Sequence, residues 1–100
     1  MWAQLVKARF KPGQEAEARR IQEEMAERER QNPTGWLRSI QLQNQNDPRE
    51  FYSLIFFESE EKARQREQSP ERREIVERIQ ACMDGRPEFV DFNGVEEISL

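Results

Sequence analysis

Between Trp2 and Phe10 polar and apolar positions alternate, with Gln4, Val6, Ala8 and Phe10 on one face and Ala3, Leu5, Lys7 and Arg9 on the other. That period of two predicts a strand. Pro12-Gly13 ends it, because proline lacks a donor and glycine permits the turn. The period then changes. Gln14–Gln31 holds neither Pro nor Gly, is dense in Ala, Glu, Arg and Gln, and sets Ala18, Ile21, Met25 and Ala26 along one narrow stripe. This predicts an amphipathic helix, stopped by Asn32-Pro33-Thr34-Gly35.

Alternation returns over Trp36–Gln43, placing Trp36, Arg38, Ile40 and Leu42 opposite Leu37, Ser39, Gln41 and Gln43. Asn44–Arg49 has the composition of an exposed hairpin loop. Phe51–Phe57 is apolar at both parities and predicts a central strand covered front and back. Ser59 followed by Glu60 and Glu61 opens a second helical region, which Ser69-Pro70 restarts. Ile75, Val76, Ile79, Cys82 and Met83 form its buried stripe, and Asp84-Gly85 ends it. Glu88–Ile98 reads as a last strand, broken or bulged near Asn93-Gly94.

The order β-α-β-β-α-β predicts an α+β, ferredoxin-like domain: a four-stranded antiparallel sheet with both helical regions on one face. One layer of helices covers one side of Phe51–Phe57 and leaves Tyr52, Leu54 and Phe56 on the other. Such a patch is uncommon on a lone subunit, so a homodimer packed sheet to sheet is expected, with Tyr52, Leu54 and Phe56 between the copies.

Composition narrows the chemistry. The 100 residues fit one domain, 1–100, and only 35% are apolar against 36% charged, with a mean hydropathy of -1.06. So thin an apolar supply also favours a second subunit as extra core. There is no histidine, which excludes Ser-His-Asp and Cys-His catalysis, His-ligated zinc and a proximal-His haem. Cys82 is alone and can form neither an intrachain disulfide nor a cysteine-rich metal site, so no metal and a reducing, cytoplasmic location are expected. A net charge of -4 argues against a nucleic-acid partner. The longest strongly apolar run, Leu54–Phe57, is far too short for a membrane span.

Several turn and cap segments, in order, resemble one family. Lys11-Pro12-Gly13 with Glu15, Pro33-Thr34-Gly35, Asp47-Pro48, Phe57-Glu58-Ser59-Glu60-Glu61, Ser69-Pro70 and Asp84-Gly85-Arg86-Pro87-Glu88 are similar to segments of the antibiotic-biosynthesis monooxygenases. The resemblance implies a dimeric α/β barrel with a ligand space between sheet and helices. It also implies oxygenation of a small aromatic or quinone-like substrate without cofactor: an electron-rich anion reduces oxygen itself, and the protein supplies a dry, oriented pocket. The chain departs from the family pattern at Phe57, where a Trp is common, and at Arg66, where a His is common. Haem-degrading members resemble one another in an Asn where this chain has Val6, which disfavours haem degradation.

The candidate substrate-binding residues are therefore Val6, Trp36, Arg38, Phe51, Phe57 and Arg66. Val6, Phe51 and Phe57 should face the helices, where they would line a pocket or simply fill the core. Trp36 and Arg38 share a face in this reading, and a guanidinium beside an aromatic wall would hold a phenolate or enolate; an edge Arg paired with a carboxylate explains Arg38 equally. Arg66 would clamp an anion at the pocket mouth, or belong to a solvated face with Arg64, Glu67, Arg72 and Arg73. Two functions stay open: a cofactor-independent monooxygenase, and a non-catalytic dimer that binds a ligand or partner.

Overall fold

The computed structural model describes residues 1–100. Its elements are β1 (Trp2–Arg9), α1 (Glu15–Gln31), β2 (Trp36–Asn44), β3 (Asp47–Phe57), α2 (Glu60–Glu67), α3 (Pro70–Gln80) and β4 (Glu88–Phe92). The strands form one antiparallel sheet in the order β2-β3-β1-β4. The most apolar strand, β3, is therefore internal, as its composition required. No helix is long and apolar enough to cross a membrane.

The helices pack on one face, and the core beneath them is in two parts. Ala8, Phe10, Ala18, Ile21, Ile75, Ile79 and Cys82 form one buried cluster, with Phe51 and Met25 against it. Trp2, Phe57 and Ala63 form the other, flanked by Trp36 and Ile55. Between them on the sheet stand Val6 and Ser53, directly opposite one another and only partly buried. The core thus tapers at mid-sheet, where a packed domain is ordinarily continuous.

Local chemistry explains the element ends. The Ser59 hydroxyl accepts from the Lys62 amide at 3.2 Å and caps α2. Pro70 opens α3, although Ser69 makes no capping bond with its side chain. The hairpin is tighter than its composition suggests: β3 begins at Asp47, leaving Gln45 and Asn46 at the turn. Pro48 can stand in this strand because β1 pairs with β3 no further than Glu50, so no donor is demanded on that side. The last strand is shorter than expected. β4 stops at Phe92, and Val95 and Ile98 lie outside it, because the chain leaves the sheet at Asn93-Gly94 and Glu97 reaches Arg38 on the far edge at 3.0 Å.

The face away from the helices carries Ala3 and Leu5 of β1, Ile40 and Leu42 of β2, Tyr52 and Leu54 of β3, and Val90 and Phe92 of β4. Leu42, Val90 and Phe92 remain 51%, 50% and 40% exposed. Phe56, expected to await a partner, is instead 7% exposed, because the Arg38 guanidinium lies over its ring at 5.2 Å.

Candidate functional site

A bulge at Leu37 decides which side chains of β2 meet the helices. Trp36 pairs with Phe57, but Arg38 pairs with the next residue, Phe56, so the parity of the strand flips between them. Trp36 turns toward the helices and Arg38 toward the opposite face, which corrects the expectation that they share one. From Arg38 onward Ile40 and Leu42 follow it outward, and Ser39 and Gln41 take the helix side. Strict alternation from Trp36 assigns these four residues the wrong way round, since an inserted residue leaves no mark in hydropathy.

Between α1 and the β2–β3 half of the sheet lies a cleft of about 580 Å³. Its apolar lining includes Phe10, Phe51, Ala18, Ala26 and Trp36, and Ser39 and Gln41 supply polar groups. The rings of Phe10 and Phe51 sit 5.4 Å apart and tilted, one wall of the space. The Trp36 indole N–H donates to the Ser39 hydroxyl at 2.8 Å, which fixes the ring at the other end of the cleft. Charges around this cleft are even, with Arg19, Arg30 and Arg38 against Glu15, Glu23 and Glu29. Arg38 contributes at the rim, while its charged end is on the other face with Phe56 and Glu97.

Behind Trp36 stands Arg66. Its guanidinium lies 5.0 Å from the Trp36 ring and 6.0 Å from the Phe57 ring, the geometry of a cation over aromatic faces. The Glu29 carboxylate is 3.6 Å from Nε and similarly sheltered. Burial lowers the affinity of Arg66 for its proton, and Glu29 opposes the shift. Arg66 therefore does not belong to an open charged surface. It lines a second cleft of about 460 Å³, which shares Glu29 and Pro33 with the first.

Of the six residues chosen from sequence, the structure brings Trp36, Phe57 and Arg66 into mutual contact and places Phe51 in the first cleft with Trp36. Phe57 is 4% exposed and packed against Trp2, 5.8 Å away, so it supports the site from within the core. Val6 lies at the gap between the core clusters and lines neither cleft. Arg38 reaches only the rim of the first cleft, because the bulge turns its guanidinium to the other face. Sequence reasoning missed Phe10, Ala18 and Ala26 as lining residues, since small and aromatic residues on a buried stripe look alike whether the space above them is filled or empty.

Tyr52 belongs to the other face. Its hydroxyl donates to Glu50 at 2.6 Å, which together with Asn44 holds the Glu50 carboxyl below its usual range and raises Tyr52 above the ordinary phenol value. Cys82 is buried on the α3 side of the core, where its thiol donates to the Arg78 carbonyl at 3.7 Å.

Solved structures share this architecture. SnoaB from Streptomyces nogalater, described as a cofactor-independent oxygenase and solved as its N63A mutant, is 12% identical, with a TM-score of 0.81 over 97% of this chain and 95% of its own. A protein of Caulobacter crescentus CB15 matches at 15% identity and a TM-score of 0.82, over 95% and 90% of the two chains. A conserved protein of Methanosarcina mazei Go1 is 20% identical, with a TM-score of 0.77 over 92% and 91%. At such identities the likeness establishes the fold. A search of curated proteins returns no significant match. The family model described as antibiotic biosynthesis monooxygenase matches residues 1–78, which include β1, α1, the β2–β3 hairpin, α2 and most of α3. The chain belongs to the antibiotic biosynthesis monooxygenase family.

Proposed function

We propose that the protein is a cofactor-independent monooxygenase acting on a small, electron-rich aromatic molecule, a phenol, quinol or related enolisable ring system. The observation that carries this reading is the cleft of about 580 Å³ between α1 and the sheet, walled by Phe10, Phe51 and Trp36. That volume lies within the ~300–1,000 Å³ range of small-molecule sites. A flat ring would lie along the cleft over Ser39 and Gln41, whose polar groups would meet its oxygen substituents, with Phe10 and Phe51 at one end and Trp36 at the other.

The chemistry asks little of the protein. Deprotonation raises the electron density of the ring until it can pass an electron to oxygen; recombination forms the C–O bond of a hydroperoxide. Loss of water then leaves a carbonyl, so a ring CH₂ loses two hydrogens and gains one oxygen, and the second oxygen departs as water. The residues named orient the ring and shelter its faces from water.

The working unit in this reading is a homodimer closed through the outer sheet face, where Tyr52 and Leu54 are half-buried and Leu42, Val90 and Phe92 are exposed.

Oxygen uptake tests the proposal. A panel of hydroquinones, naphthols and anthrones is supplied to the protein in an oxygen electrode, with binding followed by quenching of Trp36 emission. Ala26→Phe fills the cleft from α1 while leaving the buried Ala18–Ile21 stripe intact. The expected result is uptake above the spontaneous rate with at least one ring class, lost in Ala26→Phe. Binding without uptake across the panel would replace the enzyme with a ligand-binding protein; uptake unaltered by Ala26→Phe would move the reaction out of this cleft.

A further inference from the structure

The second cleft lies where the end of α1, the α2 face bearing Lys62 and Arg66, and the start of α3 come together. It differs from the first in its electrostatics. Arg28, Lys62, Arg66 and Arg72 line it, against two carboxylates, Glu29 and Glu71, in a chain of net charge -4. Of these two, Glu29 is already committed. Glu29 accepts from the backbone N–H and the hydroxyl of Thr34, both at 2.6 Å, while also facing Arg66. Lys62 is engaged by Glu58.

Arg72 is left over. Its Nη1 is buried and has no hydrogen-bond acceptor. Burial, with the neighbouring charge of Arg66 adding to it, pushes Arg72 down from the ordinary guanidinium range to about 10, against a smaller opposing pull from Glu67 and Glu29. A guanidinium still carries its charge at neutral pH, so the group cannot escape its situation by losing a proton. Two sheltered guanidinium groups, one paired with Glu29 and the other with an idle donor, are an arrangement that an incoming anion would relieve. Beside them Ser69 lines the same cleft with a hydroxyl that makes no capping bond, at the positive end of the eleven-residue helix α3.

We propose that this cleft is an oxyanion-binding site, which takes a carboxylate or phosphate group between Arg72, Arg66 and Ser69. A guanidinium fork matches the paired oxygens of either group. The site is separate from the aromatic cleft and requires nothing to be bound there. The two spaces are nonetheless coupled through Arg66, since its guanidinium lies on the Trp36 ring that walls the first.

The test is a titration of isotopically labelled protein with inorganic phosphate, sodium acetate and sodium chloride, each at constant pH and ionic strength. Backbone signals of Ser69 and Glu71 and the Nε–H signals of Arg66 and Arg72 are followed. Saturable shifts at these groups with phosphate or acetate, and none with chloride, are expected, and whichever of the two saturates at lower concentration identifies the anion. Arg72→Gln should weaken the effect about tenfold or more, the loss of a charge-assisted bond, whereas Arg73→Gln, on the exposed side of the same helix, should leave it unchanged. Should Arg72→Gln fail to fold, the midpoint of thermal unfolding of the unaltered protein decides: it should rise with phosphate or acetate and stay flat with chloride at matched ionic strength. Shifts that grow without saturation and are matched by chloride, or equal binding by Arg72→Gln, would overturn the proposal.

Discussion

Replacing Gly35 with alanine tests the geometry that seats Trp36 in the wall of the cleft. Gly35 is buried, precedes the bulge, and holds φ at +107° while its carbonyl accepts from the Glu58 amide at 2.8 Å. A side chain there would meet two penalties. The left-handed backbone costs an L-residue about 1–2 kcal/mol. The new Cβ would also stand 2.8 Å from Lys62 Cδ and 2.9 Å from Lys62 Cβ. The second contact cannot be relieved by swinging the lysine away, because Cβ moves only with α2 itself. Displacing α2 disturbs Ala63, which is 2% exposed between Trp2 and Phe57, and overpacking of this kind costs about 1–3 kcal/mol. Together Gly35→Ala should lose about 2–5 kcal/mol, measured by urea unfolding with Trp emission as the probe; for a domain this size each kcal/mol lowers the thermal midpoint by roughly 4–8 °C. Lys62→Ala removes the Cδ and Cγ contacts and leaves the Cβ contact, so the double variant should recover part of the loss and no more. A cost below about 0.5 kcal/mol, or full additivity of the two changes, would refute the reasoning.

The outer sheet face and its polar corner give two further tests. Leu54→Glu puts a charge among Leu5, Ile40 and Tyr52, and should convert a dimer at micromolar concentration into monomers or aggregates by light scattering; a variant that dimerises normally would show that the copies meet elsewhere. Tyr52→Phe removes the largest influence holding Glu50 below its reference of 4.5, so the Glu50 carboxyl, followed by NMR titration, should move upward. A lowered carboxyl contributes stability above its unfolded value and loses it as pH falls through the folded one. The stability gap between Tyr52→Phe and the parent should therefore be present at pH 7 and close as pH falls below 4.5 and through the lowered folded value; a gap independent of acid would assign the tyrosine to packing alone.

The fold was legible because its signals are redundant. The stripe through Ala18 and Ile21, the cap at Ser59 and the doubly apolar β3 each state the same topology in a different currency: periodicity, local hydrogen bonding and burial. Element ends were less legible where composition and tertiary demand disagree. Asp47-Pro48 reads as loop, yet Pro48 extends β3 where only one neighbour needs to be paired. Val95 and Ile98 read as strand, yet their segment leaves the sheet and brings Glu97 to Arg38.

The site was less legible than the fold, and Leu37 shows why. A single inserted residue in β2 sends Arg38 away from Trp36, covers Phe56 with its guanidinium, and turns Ser39 and Gln41 toward the helices. No local pattern marks that insertion, because every residue of Trp36–Gln43 suits either face well enough. Arg66 and Arg72 illustrate the converse. Within a run dense in Glu and Arg, Arg72 reads as solvated surface and Arg66 as either that or an anion clamp, and only the approach of α1 to α2 and α3 encloses them. The enclosure changes what they are: a guanidinium in water is satisfied wherever it points, whereas one whose donor is shut away from water must find an acceptor in the protein or in a ligand. In this chain the protein offers Glu29 to Arg66 and nothing to Nη1 of Arg72. Charge that is merely abundant in the sequence becomes specific at the point where the fold withdraws its solvent.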